Sequence, residues 1–259
     1  MLNAEEKREV KSIVHSALEK AERIWGRHGL SLDEALHARA DSAGIAKRER
    51  VPARIPGHNT VEEGQERVGT FIALVADIRE SSNHLMSRIA AAKATELERV
   101  FYETSALLPA LERTIQFENG AVTEYLGDGV LALFSVDERD RQRTVKAAYA
   151  AAENCLGDTR HIVNEALNDR YDLPPLNLGI GMAMSKAVVS LVGIEGNSHA
   201  KVIGRCVYYA TKLSSGKNEI VVDDGMDAAW PVSENGTLRF KKQTRRGVEG
   251  YLVTRSSEG

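Results

Sequence analysis

The sequence predicts a mixed α/β sandwich of the ferredoxin-like style with an N-terminal helical extension, and three observations lead there. Short apolar runs (FIALV, VLALF, LNLGIGMAM, EIVV) alternate with stretches whose apolar residues recur at helical spacing, giving β, α, β, β, α, β before further elements. Between AVTEY and VLALF lies LGDG, in which glycines at 127 and 129 flank Asp128, the composition of a tight hairpin. Ahead of this core, Val10, Ile13, Val14, Ala17, Leu18, Ala21 and Ile24 mark one stripe along a charged segment.

In chain order, the first helix is expected from about Ala4 to Arg27, its stripe serving either dimerisation or packing on its own domain. A second short helix is expected over Leu32 to Ala40. The stretch AKRERVPARIPGHNT, with two prolines and a glycine, reads as a linker or irregular arm. GTFIALVAD is a buried strand that stops at Asp77, where the apolar run meets a polar turn. A helix follows from Asn83 towards Leu108 and ends before Pro109, and the AVTEY–VLALF hairpin comes next. ERDRQRTVKAAYAAAENCLGDTRHIVNEALN is helical with a bend near Gly157, and LNLGIGMAM and AVVSLVGI form another strand pair. GRCVYYATKLSS turns into a helix, NEIVVDD is a strand, and TLRFKKQTRRGVEGYLV closes the chain as a hairpin. The resulting division is 1–60, helical extension and linker, and 61–259, the main folded domain.

Composition narrows the partners. With 34 Lys and Arg against 37 Asp and Glu, the net charge is -3, which gives no electrostatic case for a nucleic-acid partner. Hydrophobic residues at 42% suffice for an ordinary core. The two cysteines, Cys155 and Cys206, lack zinc-ligand spacing and suggest no disulfide framework. No segment reads as a signal peptide or as an apolar run of about 20 residues, so the expectation is a cytoplasmic protein without membrane insertion.

Two carboxylates carry the chemistry. Asp77, in VADIRESS, stands at the end of a buried strand, a rigid place for a metal ligand and equally a place for a capping or turn Asp. Asp128, in EYLGDGVLALF, projects from the tip of a hairpin or simply serves its Asp-Gly turn. Two ionised carboxylates placed together repel, and divalent cations relieve that penalty through oxygen ligands.

FIALVADIRESS, TEYLGDGVLALF, LNLGIGMAMSKAVVSLVG and IGRCVYYATKL, in that order over roughly residues 69 to 222, resemble the class III adenylate and guanylate cyclase catalytic domain. The resemblance implies that Asp77 and Asp128, with the backbone carbonyl of Ile78, bind two divalent cations, Mg2+ or Mn2+. It implies attack of a ribose 3′-oxygen on the α-phosphorus of a nucleoside triphosphate, with pyrophosphate leaving. Arg79 is then a phosphate or structural contact.

Glu124 matches the first base-reading position and suits guanine, or else faces water. Tyr125 beside it is a second pocket candidate, although strand alternation turns the two to opposite sides. Lys201, beside a turn, either approaches nucleotide or stays on a charged surface. Tyr208 and Lys212 depart from the Asn and Arg that many purine cyclases carry there, and a helix puts both on one face. His84 and His199 read as turn or cap residues.

These departures resemble divergent bacterial pyrimidine cyclases, which implies conversion of UTP to 3′,5′-cyclic UMP in antiphage signalling. The alternatives are a cytidylate cyclase, a guanylate cyclase or an inactive nucleotide-binding module. The resemblance also implies a homodimer with shared active sites, Asp77 and Asp128 facing the partner's Tyr208 and the partner's Lys212.

Overall fold

The computed structural model describes residues 1–35, 50–87, 89, 92–194, 197–231 and 236–256. Helix α1 spans Ala4–Ala35. It is one continuous helix where a break before Leu32 was expected, and the remainder of the second expected helix lies outside the described residues. Its stripe packs within the chain: Val10, Val14, Leu18 and Ala21 are buried in the same core as the sheet, and α1 lies against the long helix Glu96–Phe117. Each fully buried Val or Leu there contributes roughly 1.5–3 kcal/mol.

The expected linker folds, in its described part, as a hairpin: β1 (Arg50–Ile55) pairs antiparallel with β2 (His58–Glu62). Pro52 is tolerated in this two-stranded ribbon because each strand has a free edge. Ile55 and Val61 anchor the ribbon by burial.

Strand β3 (Arg67–Ile78) follows, and its two-sided apolar run puts Ile72, Leu74, Ala76 and Ile78 in one core and Phe71, Ala73 and Val75 in another. The next helical region is split: α2 (Ser81–Met86) and α3 (Glu96–Phe117) replace the single expected helix. Thr95 and Glu98 form a capping box that starts α3 afresh. Pro109 does not end it, because Leu107, Ala110, Leu111 and Ile115 keep the buried stripe running past the missing N–H.

The hairpin β4 (Ala121–Tyr125) and β5 (Gly129–Ser135) stands as expected, closed by Leu126 N–H donating to the Gly129 carbonyl at 2.8 Å, with Gly127 at φ +84°. The bend at Gly157 is a π-helical turn, Cys155–Thr159, joining α4 (Arg141–Asn154) to α5 (Arg160–Tyr171). The expected strand pair over 176–194 is instead one strand, β6 (Leu178–Ile194), whose partner is β7 (Asn197–Gly204). Nothing between Met182 and Val189 interrupts its extended backbone, so the two apolar runs merge. Helix α6 (Arg205–Leu213), β8 (Glu219–Val222), α7 (Asp224–Ala228) and the terminal hairpin β9 (Leu238–Arg245) and β10 (Val248–Arg255) complete the fold.

The main sheet runs β4-β5-β3-β6-β8-β10-β9 with β7 beside β6, antiparallel except for β6 with β8. One face is covered by α1, α3, α4 and α5; the other carries α6 and the β1–β2 ribbon. Helix α6 reaches the sheet because Gly179 and Gly181 have no side chains: a Cβ on Gly181 would stand 2.1 Å from the Ala210 carbonyl oxygen. Gly181→Ala is therefore expected to cost about 1–3 kcal/mol in urea unfolding, since backbone must move.

Asp223 caps α7, its Oδ1 accepting from the Met226 and Met184 N–H groups at 2.9 and 3.1 Å, while Oδ2 has no hydrogen-bond partner among the described residues and faces the Arg205 guanidinium at 3.8 Å. Burial pushes this carboxyl from 3.8 up to about 6. The fold thus binds the proton more tightly than the unfolded chain. That stabilisation is complete below the ordinary value and is lost as pH rises through about 6. Asp223→Asn keeps the capping oxygen and removes the buried charge. Thermal melts between pH 4 and 7.5 should show a flatter slope and a midpoint about 2–4 °C higher at pH 7.

Candidate active site

Asp77 is the penultimate residue of β3, paired with Gly129 of β5 on one side and Gly179 of β6 on the other. Flanking strands fix its backbone, and it shares a face with Phe71, Ala73 and Val75. Gly129 is required beside it, because a Cβ there would come within 2.5 Å of the Ala76 carbonyl oxygen. The hairpin turn delivers Asp128 to the same place, its carbonyl accepting from the Ile78 N–H at 3.2 Å.

The two carboxylates sense each other. Burial first, then the neighbouring Asp128 charge, push the Asp77 carboxyl from 3.8 up to about 6, against the opposing pull of Arg79 and Arg246. Arg79 folds back so that one Nη2 serves both the Asp77 carboxylate and, at 3.2 Å, the Ile78 carbonyl. A single donor reaching both oxygens shows that they converge on one point.

Two carboxylates and a carbonyl, all hard oxygen donors, with a mutual repulsion that a divalent cation neutralises, fit Mg2+ or Mn2+. Among the described residues no group of three or more His, Cys, Asp and Glu side chains gathers, so a cation here would complete its shell with backbone, water or substrate oxygens.

The cleft around these donors is lined by Arg79, Glu80, Ser81, Ser82, Ser215, Lys217 and Arg246 as well. Lys217, Arg246 and Ser215 were not among the sequence candidates. They arrive from the turns after α6 and between β9 and β10, and their only advance signal was the basic, glycine-bearing composition of SSGKNE and TRRGVE.

The other candidates stand elsewhere. Glu124 pairs with Lys201 at 2.6 Å, joining β4 to β7. Tyr125 turns away from that pair and donates to Glu112, which also accepts from Arg54 at 3.0 Å. A β-bulge between Val122 and Glu124 sets this orientation. Tyr208 and Lys212 share one face of α6, the Lys212 ammonium lying 5.3 Å from the Tyr208 ring centroid. Tyr208 is 59% exposed. Neither residue lines the Asp77 cleft of its own chain.

No protein-family profile matches the chain, and no curated protein does. Solved structures do match. The guanylyl cyclase Cya2 aligns at 22% identity and a TM-score of 0.59 over 76% of this chain and 96% of its own. The adenylyl cyclase CyaB from P. aeruginosa aligns at 17% identity and 0.60, covering 75% of this chain and 98% of that one. The guanylate cyclase domain of RhGC from Catenaria anguillulae, solved with GTP, aligns at 14% and 0.53, covering 75% and 100%.

The chain has the class III nucleotide cyclase catalytic fold. In this cyclase fold α1 is an N-terminal addition, and the Asp77 cleft opens at the end of the central strand pair β3–β5. Among the described residues no helix is long and apolar enough to cross a membrane.

Proposed function

We propose that the chain is a nucleotide cyclase that closes a nucleoside triphosphate into its 3′,5′-cyclic monophosphate with release of pyrophosphate. The observation that carries the reading is the convergence of Asp77, Asp128 and the Ile78 carbonyl at one end of the sheet, in a fold whose solved examples include adenylyl and guanylyl cyclases. Two divalent cations, Mg2+ or Mn2+, would neutralise triphosphate charge and acidify the ribose 3′-hydroxyl. Asp77, Asp128 and the Ile78 carbonyl would hold them, and Arg79, Lys217 and Arg246 bring positive charge to the same cleft for the phosphate oxygens. The bond made joins the 3′-oxygen to the α-phosphorus; the bond broken releases pyrophosphate.

Glu124 and Lys201 stand apart from the Asp77 cleft of their own chain, so in a shared-site dimer they would bear on the base of a nucleotide held in the cleft of the partner subunit. With Glu124 opposite the ring nitrogen, a carboxylate needs an N–H there, which guanine N1 and uracil N3 carry and adenine and cytosine lack. Lys201, whose ammonium lies 2.6 Å from the Glu124 carboxylate, would then donate to the adjoining carbonyl of the base. The reading is therefore GTP or UTP. Guanylyl cyclases among the solved neighbours favour GTP. Tyr208 and Lys212, which replace the Asn and Arg of the resembling purine cyclases, favour UTP, and with it the cyclic UMP messenger role in antiphage defence.

The catalytic unit is taken to begin near residue 61, a boundary that falls inside β2, and α1 of the preceding segment packs into the core of that unit and does not stand apart from it. Because Tyr208 is exposed on α6 and half-buried Lys212 lies against its ring, outside the Asp77 cleft of their own chain, they fit a homodimer in which each subunit completes its partner's site.

The test is incubation of the purified protein with ATP, GTP, CTP and UTP separately, in Mg2+ or Mn2+, with products identified by mass. Cyclic GMP or cyclic UMP is expected. A preference for ATP or CTP would overturn the base assignment, and no product from any of the four would leave a nucleotide-binding module.

A further inference from the structure

Helix α2 buries none of its residues, and its two apolar side chains, Leu85 and Met86, face solvent. An element without an apolar anchor is placed by its polar contacts, and α2 has one that reaches the interior. His84 Nδ1 lies 2.8 Å from Oε2 of Glu103 in α3. Glu103 is 2% exposed, and its other oxygen accepts from Nε of Arg99, one turn earlier, at 2.7 Å.

A carboxylate this deep is tolerated only when paired and fully hydrogen-bonded. Arg99 supplies the charge and the His84 ring N–H the second bond, so the cluster is complete only with α2 in place. The cleft itself gives none of the three residues a task. Yet the same short helix opens with Ser81 and Ser82, which line the cleft beside Asp77 and Ile78.

The turn that delivers those serines is held out of its relaxed conformation. Glu80 sits at φ +64°, a left-handed backbone that a residue with a Cβ adopts at a cost of about 1–3 kcal/mol. Such a turn persists when it is fixed on both sides. On the strand side Arg79 N–H donates to the Asn177 carbonyl at 2.8 Å, and the Glu80 carboxylate lies 3.7 Å from the exposed Lys217 ammonium; on the helix side the contact that reaches the interior is His84 with Glu103.

We propose that Glu103, acting through His84, is a positioning residue for the cleft: it holds the Glu80–Ser82 turn where the two serine hydroxyls meet the triphosphate of a bound nucleotide. The proposal rests on the nucleotide reading of the Asp77 cleft. Without the His84 bond, α2 swings on a strained turn and the serines leave the cleft, while Asp77 and Asp128, fixed by strands, stay where they are.

The experiment measures binding of inorganic tripolyphosphate in Mn2+ by calorimetry, using the full chain as wild type, His84→Ala and His84→Asn. The Asn amide nitrogen stands as many bonds from Cα as His Nδ1, so it can donate to Glu103 in the same place. The expected result is roughly tenfold weaker tripolyphosphate binding in His84→Ala, recovery to within about threefold in His84→Asn, and unchanged affinity of all three for Mn2+ alone. Wild-type tripolyphosphate affinity in a folded His84→Ala protein would overturn the proposal. So would His84→Asn binding as weakly as His84→Ala, or an equal loss of Mn2+ affinity, which would mark a general loosening. Failure of the wild type to bind Mn2+ or tripolyphosphate would instead remove the nucleotide reading of the cleft, and the positioning role with it.

Discussion

Asp77→Asn is expected to lower cyclase turnover at least about a thousandfold, equivalent to ~4 kcal/mol of transition-state stabilisation, in a protein that still folds. The loss is large because the side chain supplies charge as well as an oxygen: the amide leaves the cations that would neutralise the triphosphate with one carboxylate instead of two. The fold survives because the position is paid for by its backbone, paired to Gly129 and Gly179, and not by its carboxylate. Burial and Asp128 already disfavour the charged form, pushing it up to about 6. Replacing the carboxylate relieves both terms, while Arg79 loses a partner. The thermal midpoint should therefore hold within about 2–4 °C of wild type at pH 7. Product formation and a melt on the same sample check the two halves of this expectation, and a variant that loses activity only by unfolding would contradict it.

The second large effect is recovery of activity by mixing two inactive variants. Asp77→Asn disables the cation end of a site and Lys212→Met the outward face of α6, and a shared site places these in different subunits. After exchange, half of the dimers are mixed and one of each mixed pair's two sites is intact, so up to about a quarter of wild-type activity should return. Mass measurement of differently tagged subunits establishes that exchange has occurred. Exchange without recovery would place Lys212 outside the partner's site; recovery that scales with the mixed dimer supports it.

What could be read from the sequence was what local physics decides. The β3 run, the LGDG turn and the terminal hairpin were legible because a buried strand needs a continuous apolar stretch and a two-residue turn needs glycine. The placement of Asp77 and Asp128 at one sheet end followed from those elements. Pro109 misled because its local cost is outweighed by Leu107, Ala110 and Leu111, whose burial depends on tertiary contacts. The β1–β2 ribbon read as a linker since its strands are short and polar, and the burial of Ile55 and Val61 that helps tie them down depends on tertiary contacts. Lys217 and Arg246 were invisible as cleft residues for a related reason: each sits in a turn far along the chain from Asp77, and only the order of strands in the sheet brings those turns together. His84 looked like a cap residue because its partner, Glu103, lies a full helix away in sequence.

The most direct test counts cations. Electron paramagnetic resonance titration of Mn2+ in the presence of a nonhydrolysable nucleoside triphosphate should show about two tightly bound ions per protomer, with nucleotide-dependent binding lost in the Asp77→Asn, Asp128→Asn double variant. Mn2+ binding that is indifferent to the nucleotide, or that survives the loss of both carboxylates, would contradict the account.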